Sequence, residues 1–309
     1  MAIPTSRTKE SGQVCIDTER CNGCGTCVDV CKSFVLTLAD GKAKVSETQA
    51  YAFGCCADGH CMAACPNDAI TVRGRMLSPD DLFDLPAAGS AANYGQLLSM
   101  LQRRRSIREF TDRKVEPEII EKILEAAKTS PMGIPPSDIN VLIFDTKEKN
   151  RKFAEDFCTY LKSMRWFVSG WFMTLMRPFW GKNTDDLFRN FVRPAFDIYT
   201  GEMDKSVNLL TYDAPLAMYF YGSPFVDPAD PIVAATTAMY AAESLGLGTC
   251  MLGAIHPLLQ YGRKAKKFRE KYGIKCKSQE GIFVIFGYPA VQYRKGLKRT
   301  FASEIYFKN

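Results

Sequence analysis

The sequence predicts an α+β chain of two unequal domains: a small cysteine-rich one first, then a larger one in which a short mixed sheet is flanked by helices. Three observations carry this expectation. Nine of the twelve cysteines lie within the first 65 residues. A stretch from Ser78 to Gly95, rich in Ala, Ser and Asp and punctuated by Pro79, Pro86 and Gly89, has no sustained periodicity and reads as a linker. Beyond it, helix-period segments alternate with strand-length apolar runs. At 309 residues the chain leaves the second part enough length to bury a core of its own. The expected boundaries are 1–78 and 96–309, joined by 79–95.

The cysteines run Cys21-x2-Cys24-x2-Cys27-x3-Cys31, then Cys55, Cys56, Cys61 and Cys65-Pro66. Thiolates at this spacing, on loops that fold around a cube of iron and sulfide, resemble two-cluster bacterial ferredoxins, in which the last cysteine of each run serves the other cluster. Cys21, Cys24, Cys27 and Cys65 are therefore expected to hold one 4Fe-4S cluster, and Cys31, Cys55 and Cys61, with a fourth ligand, the second. Zinc sites pair Cys-x2-Cys motifs across a longer loop, and disulfides need an oxidising compartment that the N-terminus does not announce, so both readings rank below iron and sulfide. The second run departs from its pattern. Laid on Cys-x2-Cys-x2-Cys-x3-Cys-Pro, residues 55–66 put Asp58 where the second cysteine belongs. A carboxylate is a harder ligand than a thiolate, so Asp58 is expected to hold a labile fourth iron or to leave a 3Fe-4S cluster, with neighbouring Cys56 as the alternative ligand. Lys32, not proline, follows Cys31, and Cys15, Cys158, Cys250 and Cys276 read as ordinary packed thiols.

Charge is divided between the two parts. Residues 1–80 carry eight Lys/Arg against nine Asp/Glu, so the basic excess, +6 overall, is entirely downstream. It gathers at Arg103-Arg104-Arg105, Lys264–Lys271 and Arg294–Arg299, which suits discrete phosphate or acidic-partner sites, or solvated helix faces, better than a nucleic-acid surface. The most apolar stretch, Trp166–Trp180, is fifteen residues and includes Arg177, too short and too polar for a membrane span.

Within the second part, Pro117 opens a helix with Ile119, Ile120, Ile123, Leu124 and Ala127 on one face, ending before Pro131. Val141–Phe144, Leu216–Tyr221 and Gly281–Phe286 have strand length and composition, and Ile232–Leu245 reads as an alanine-rich helix ended by Gly246. The Gly246-Leu247-Gly248 sequence follows a helix and lacks the third glycine of a dinucleotide-binding turn, so a Rossmann reading is set aside.

Arg104-Arg105-Ser106-Ile107-Arg108-Glu109-Phe110, Ser130-Pro131-Met132-Gly133, Leu245–Gly253 and Lys298-Arg299, in that order and spacing, resemble the nitroreductase family of FMN enzymes over roughly residues 96–309. The resemblance implies that Arg104, Arg105, Ser106 and Arg108, with Lys298 and Arg299, surround the FMN phosphate, a dianion suited to guanidinium forks. It also implies that Pro131, Met132, Gly133, Ile134 and Pro135 line the isoalloxazine and ribityl chain, with Ser137 the side-chain donor retained there, and that backbone N–H groups near Leu252 and Gly253 face flavin N5. Where many members carry Asn and then Gln-Pro-Trp, this chain has Pro135-Pro136-Ser137-Asp138-Ile139.

The combined expectation is a cytoplasmic homodimeric reductase fed single electrons by a low-potential donor such as reduced ferredoxin. Electrons pass through the clusters to FMN, which reduces a nitroaromatic, a quinone or a similar electrophile; NAD(P)H is an alternative donor. Reductive dehalogenation, alkene reduction and a non-catalytic electron adaptor stay open beside this reading. No side chain is assigned as acid or base, because His60 and His256 both read as structural. Trp166, Phe167, Trp171, Phe172, Phe179 and Trp180 read as core packing in preference to a substrate lid. Phe301–Phe307 reads equally as an arm exchanged between protomers or as an edge strand.

Overall fold

The computed structural model describes residues 11–46, 54–133, 138–224 and 226–307; the predicted site residues Ile134, Pro135 and Ser137 lie outside them. The cysteine-rich part consists of very short elements: β1 (Gln13–Ile16), α1 (Thr26–Val30), β2 (Leu36–Ala39), β3 (Lys42–Val45), α2 (His60–Ala63) and β4 (Ile70–Arg73). β1 pairs with β4 and β2 with β3, both antiparallel. The β2–β3 turn is Asp40-Gly41, with φ of 54° and 71°, the two left-handed residues that a tight hairpin of the usual twist requires. Cys15 was expected to be packed, but it is exposed, because strand alternation turns Val14 and Ile16 toward the core instead.

After the exposed stretch 82–93, α3 (Tyr94–Arg103) starts from a capping box in which Asn93 and Gln96 exchange side-chain and backbone hydrogen bonds. Then come α4 (Pro117–Lys128), β5 (Ile139–Phe144), α5 (Lys147–Ser163), α6 (Gly170–Leu187), α7 (Arg193–Asp204), β6 (Leu216–Gly222), α8 (Asp230–Ser244), β7 (Gly248–Leu252), α9 (Arg263–Lys271) and β8 (Gly281–Gly287). The strands lie in the order β5-β6-β8-β7, and every ladder is antiparallel, a correction to the mixed sheet expected. The β6–α8–β7 crossover does make two strands parallel in direction, but β8 inserts between them and takes up both ladders. One isolated parallel bridge, Ser106 to Thr249, flanks the outer edge of β7.

Every residue of β6 and β8 is buried, because helices cover both faces of the sheet. Alternation divides the core. Leu216, Met218, Phe220, Ile282, Val284 and Phe286 face α4 and α8, while Tyr219, Tyr221, Phe283 and Ile285 meet Phe153, Phe157 and Phe268 from α5 and α9. Phe283 stacks between Phe153 (4.8 Å) and Tyr219 (4.7 Å). Ala234, Ala235, Ala238 and Ala242 let α8 approach closely, and it ends at Gly246 (φ 81°) in a Schellman motif, with Leu247 N–H donating to Ala242 O and Gly246 N–H to Glu243 O.

Beyond β8 the chain is tied back to the start of α4. Tyr288 Oη donates to Glu116 Oε2 at 2.6 Å, and Arg113 donates to Oε1 at 2.7 Å while lying 3.9 Å over the Tyr288 ring. The Tyr288 hydroxyl, then Arg113, lowers the Glu116 carboxyl from its ordinary 4.5 to about 2. A depressed carboxyl contributes stability above its unfolded value and loses it as protons bind the folded form. Thermal unfolding of wild type is therefore expected to show a stability loss from this site between pH 4.5 and about 2, and Tyr288→Phe should make that part of the profile shallower; an unchanged profile would refute the link.

Candidate cofactor sites

The cysteine loops are shaped by glycines at two tight points. Gly23 (φ 73°) passes so close to the β2–β3 turn that a side-chain carbon there would come within 2.0 Å of Gly41 O. Gly59 (φ 74°) starts α2. Cys21, Cys24, Cys27 and Cys65 then line one cavity, closed by Ile16, Ala43, Ala69 and Ile70. Cys31, Cys55, Cys61 and Asp58 form a second set, close enough that the Asp58 and Cys31 charges disfavour the thiolates of both Cys55 and Cys61. The structure thus brings together the two crossed sets that the spacing predicts. Among the described residues no three Cys, His, Asp or Glu side chains converge tightly enough for a single metal ion; the first set surrounds a space instead.

Backbone amides support individual sulfurs. Ala43 N–H points at Cys21 Sγ (3.4 Å), Ala57 N–H at Cys55 Sγ (3.4 Å) and Ala69 N–H at Cys65 Sγ (3.2 Å), and Cys24 Sγ lies 3.4 Å from Thr26 Oγ1. The Ala43 amide is the largest influence lowering the Cys21 thiol, as the Thr26 hydroxyl is for Cys24. Burial, then neighbouring Cys65, raises Cys27, and burial, then Cys55, raises Cys61 to about 12. Crowded thiols of this kind become thiolates only beside a compensating cation, and N–H···S donors are one means by which proteins stabilise and tune iron-sulfur thiolates. The donor set fits an iron-sulfur cluster.

The second candidate site follows the outer edge of β7. Ile107 N–H donates to Thr249 O (2.9 Å), laying residues 106–107 beside the strand. Gly248 permits this approach, since a side chain there would strike Ile107 at 2.6 Å. Arg108, Ser106 and Arg104 all lie near Cys250 in β7, although burial outweighs them and raises its thiol. Arg105 sits against Gly296, where a side-chain carbon would fall 2.7 Å from its Nη2, so the tail reaches this cluster two residues before Lys298 and Arg299. Among the described residues Arg104, Arg105 and Arg108 form no ion pair, and the buried Thr249 Oγ1 has no hydrogen-bond partner. A cluster of arginines without direct ion pairs, although Glu243 lies near Arg104, fits a bound phosphate.

At its other end β7 delivers half-buried Leu252 and exposed Gly253. Pro131 is exposed, and Met132 packs against the α4/α8 core. The Gly133 N–H, expected to line a flavin, is held by both oxygens of Asp230 (3.0 and 2.9 Å). Asp230 is buried at the start of α8, and desolvation raises its pKa. Sequence reasoning missed this residue; the Asp-Pro opening of an alanine-rich helix was its only signal. Ser130 Oγ donates to Thr237 Oγ1 (2.8 Å), fixing the same turn to α8.

Two family models match the chain: residues 101–168 match the nitroreductase family, and residues 14–37 match the 4Fe-4S binding domain. A nitroreductase with bound FMN from Bacteroides fragilis NCTC 9343 superposes on 71% of this chain and 100% of its own, with a TM-score of 0.50 and 16% identity. Over that part the fold is that of a nitroreductase. The FMN reductase [NAD(P)H] of Bacillus subtilis (strain 168) is 25% identical over 163 residues, 52% of this chain and 55% of the relative, so the match spans about half of that protein.

Around the nitroreductase sheet the predicted aromatic segment departs from core packing. Val168 and Met173 are buried, and Phe167, Phe172, Trp180 and Phe188 interlock, with Trp180 stacked on Phe188 at 4.8 Å. Trp166, Trp171 and Phe179, however, are 52%, 64% and 79% exposed. The physical reason is location: α6 packs chiefly on residues 165–168 and 188–192 and breaks at Gly181 (φ 77°), leaving one face outward. Trp171→Ala is accordingly expected to move Tm by no more than about 2 °C, as for other exposed substitutions in a domain this size; a larger fall in a melting curve would return Trp171 to the core. His256 is buried, with Nδ1 2.9 Å from Tyr219 Oη, whereas His60 is exposed at the start of α2. Residues 291–307 form no strand, which corrects the edge-strand alternative, and leave Phe301, Ile305, Tyr306 and Phe307 exposed. Among the described residues no helix is long and apolar enough to cross a membrane.

Proposed function

We propose that this chain is an iron-sulfur flavoprotein reductase that passes single electrons from a low-potential donor through two clusters to FMN, for reduction of a nitroaromatic, a quinone or a similar electrophile. The observation that carries the reading is the coexistence of two crossed cysteine sets with an arginine cluster along β7. When bound, FMN links one-electron supply to two-electron hydride delivery. The chain's own residues bind and orient. Arg104, Arg105 and Arg108, with Lys298 and Arg299, hold the phosphate end; Ser106 and Thr249 add hydroxyls; Asp230 and Thr237 fix the Pro131–Gly133 wall; Gly253 keeps the far end open to close approach. Neither histidine is assigned a proton, so solvent supplies it.

The reading includes domains at 1–78 and 96–309 around the 79–95 linker, a cytoplasmic location suited to oxygen-labile clusters, and a homodimer in which the exposed Phe301–Phe307 arm is covered by a second copy. The name of the Bacillus relative favours NAD(P)H as a second donor. Anaerobically purified protein is expected to contain iron, sulfide and FMN, and to turn over nitrofurazone with reduced ferredoxin. Absence of FMN, or stoichiometric electron uptake without turnover, would overturn the proposal.

A further inference from the structure

Arg108 has a neighbour besides β7. Its guanidinium carbon lies 5.7 Å from the centre of the Tyr212 ring, within reach of a cation–π contact. Tyr199 of α7 is close to both: burial, then Tyr212, raises its phenol, and Arg108 lowers it. Tyr212 reaches this position from strained backbone. Ser206, Tyr212 and Asp213 have φ of 65°, 54° and 48°, the left-handed region that a bulky side chain rarely adopts. The loop is braced so that the strain holds. Buried Asn208 donates to Thr211 Oγ1 (2.9 Å) and Asp213 Oδ1 (2.8 Å), and accepts from the N–H groups of Leu210 (3.1 Å) and Thr211 (3.0 Å). From α5, Arg151 donates to Asp213 Oδ2 (2.6 Å) and Ser206 O (2.8 Å), and Asn150 to Ala214 O (2.9 Å). Strain maintained by its surroundings gathers where ligands are clamped, and the ring it presents here faces Arg108.

We propose that Tyr212 is a positioning residue of the flavin site, its ring setting the Arg108 guanidinium in place before FMN enters. The inference rests on the reading of the arginine cluster as the FMN site. Arg108 is exposed, and among the described residues its guanidinium makes no hydrogen bond or ion pair. An arginine free to turn gives up rotamers when a ligand binds; one already laid over an aromatic face gives up fewer. The loop supplies a fixed face for this purpose. Asn208, Asp213 and Arg151 hold the backbone on which Tyr212 stands, so the ring keeps its place whether or not the site is filled.

The test is the FMN affinity of full-length, anaerobically purified holoprotein, read from the fluorescence of flavin released on dilution, with melting curves showing which variants are folded. Three substitutions separate the ring from the other roles of the residue. Tyr212→Leu keeps apolar bulk, Tyr212→Asn keeps a residue that accepts left-handed backbone, and Tyr212→Phe keeps the aromatic face. The Leu and Asn variants are expected to bind FMN roughly 3- to 30-fold more weakly, the range of a cation–π contact, and the Phe variant to bind it as wild type does. Either ringless variant suffices if the other does not fold. Combined with Arg108→Ala, neither should cause a further loss, because the ring acts through Arg108. Wild-type affinity in a folded Leu or Asn variant, a Phe variant as weak as these, or an equal loss with and without Arg108 would overturn the inference. Wild-type affinity in Arg108→Ala alone would instead remove Arg108 from the flavin site, and the reading beneath the inference with it.

Discussion

Cys27→Ser is expected to empty the first cluster and unfold the cysteine-rich part while leaving the nitroreductase-like part folded. Cys27 is buried, and with Cys21, Cys55 and Cys61 it belongs to a small core otherwise made of Val35, Leu36, Ala43, Met62, Ala69, Ile70 and Val72. Two separate two-stranded sheets and two helices of five and four residues cannot stand on backbone pairing alone. Parts this small usually need a metal or disulfides to complete their core, so loss of one thiolate removes structure as well as a ligand. The second part has its own core on both faces of β6 and β8 and should not follow. Iron analysis should lose about one four-iron cluster per chain, and limited proteolysis should cut within 11–77 but spare 94–307. Unchanged iron content would exclude Cys27 as a ligand.

This asymmetry also explains what could be read in the sequence. Cysteine spacing is a local code, because the run itself sets which thiols can meet, and the side chains of each expected set do lie near one another. β6 and β8 were legible because burial on both faces makes them continuous apolar runs, and α8 because alanines need no alternation to pack closely. β7 was not: Gly248–Leu252 has five residues, its glycine is there to admit Ile107, and such a stretch reads as a loop until β8 is seen beside it. α5 was hidden by its lysines and acids, although Phe153, Phe157 and Leu161 recur at helical spacing. The arginine cluster was visible as charge, but its anchor to the fold is not in the arginines. It comes from the backbone of Ile107 on Thr249, and the turn opposite depends on Asp230, roughly a hundred residues away in sequence.

That anchoring makes Arg104→Ala with Arg108→Ala the sharpest test of the flavin site. Neither side chain forms an ion pair among the described residues, and the part-buried Glu243 beside Arg104 keeps Arg103 as a second cation, so the fold should survive. A hydrogen bond to a charged group contributes about 1.5–3 kcal/mol, and about 1.4 kcal/mol is a tenfold change in affinity, so each substitution should weaken FMN binding roughly 10- to 100-fold. The pair should yield protein with intact iron content but no flavin absorbance, recoverable in part with excess FMN. Arg177→Ala in α6, outside the site, should retain its flavin. Arg105 adds a geometric check, because Gly296 touches it: if the tail brings Lys298 to the same phosphate, Arg105→Ala and Lys298→Ala should be non-additive in a double-mutant cycle. Full flavin content in the Arg104/Arg108 double variant would move the phosphate off β7 and take the proposed site with it.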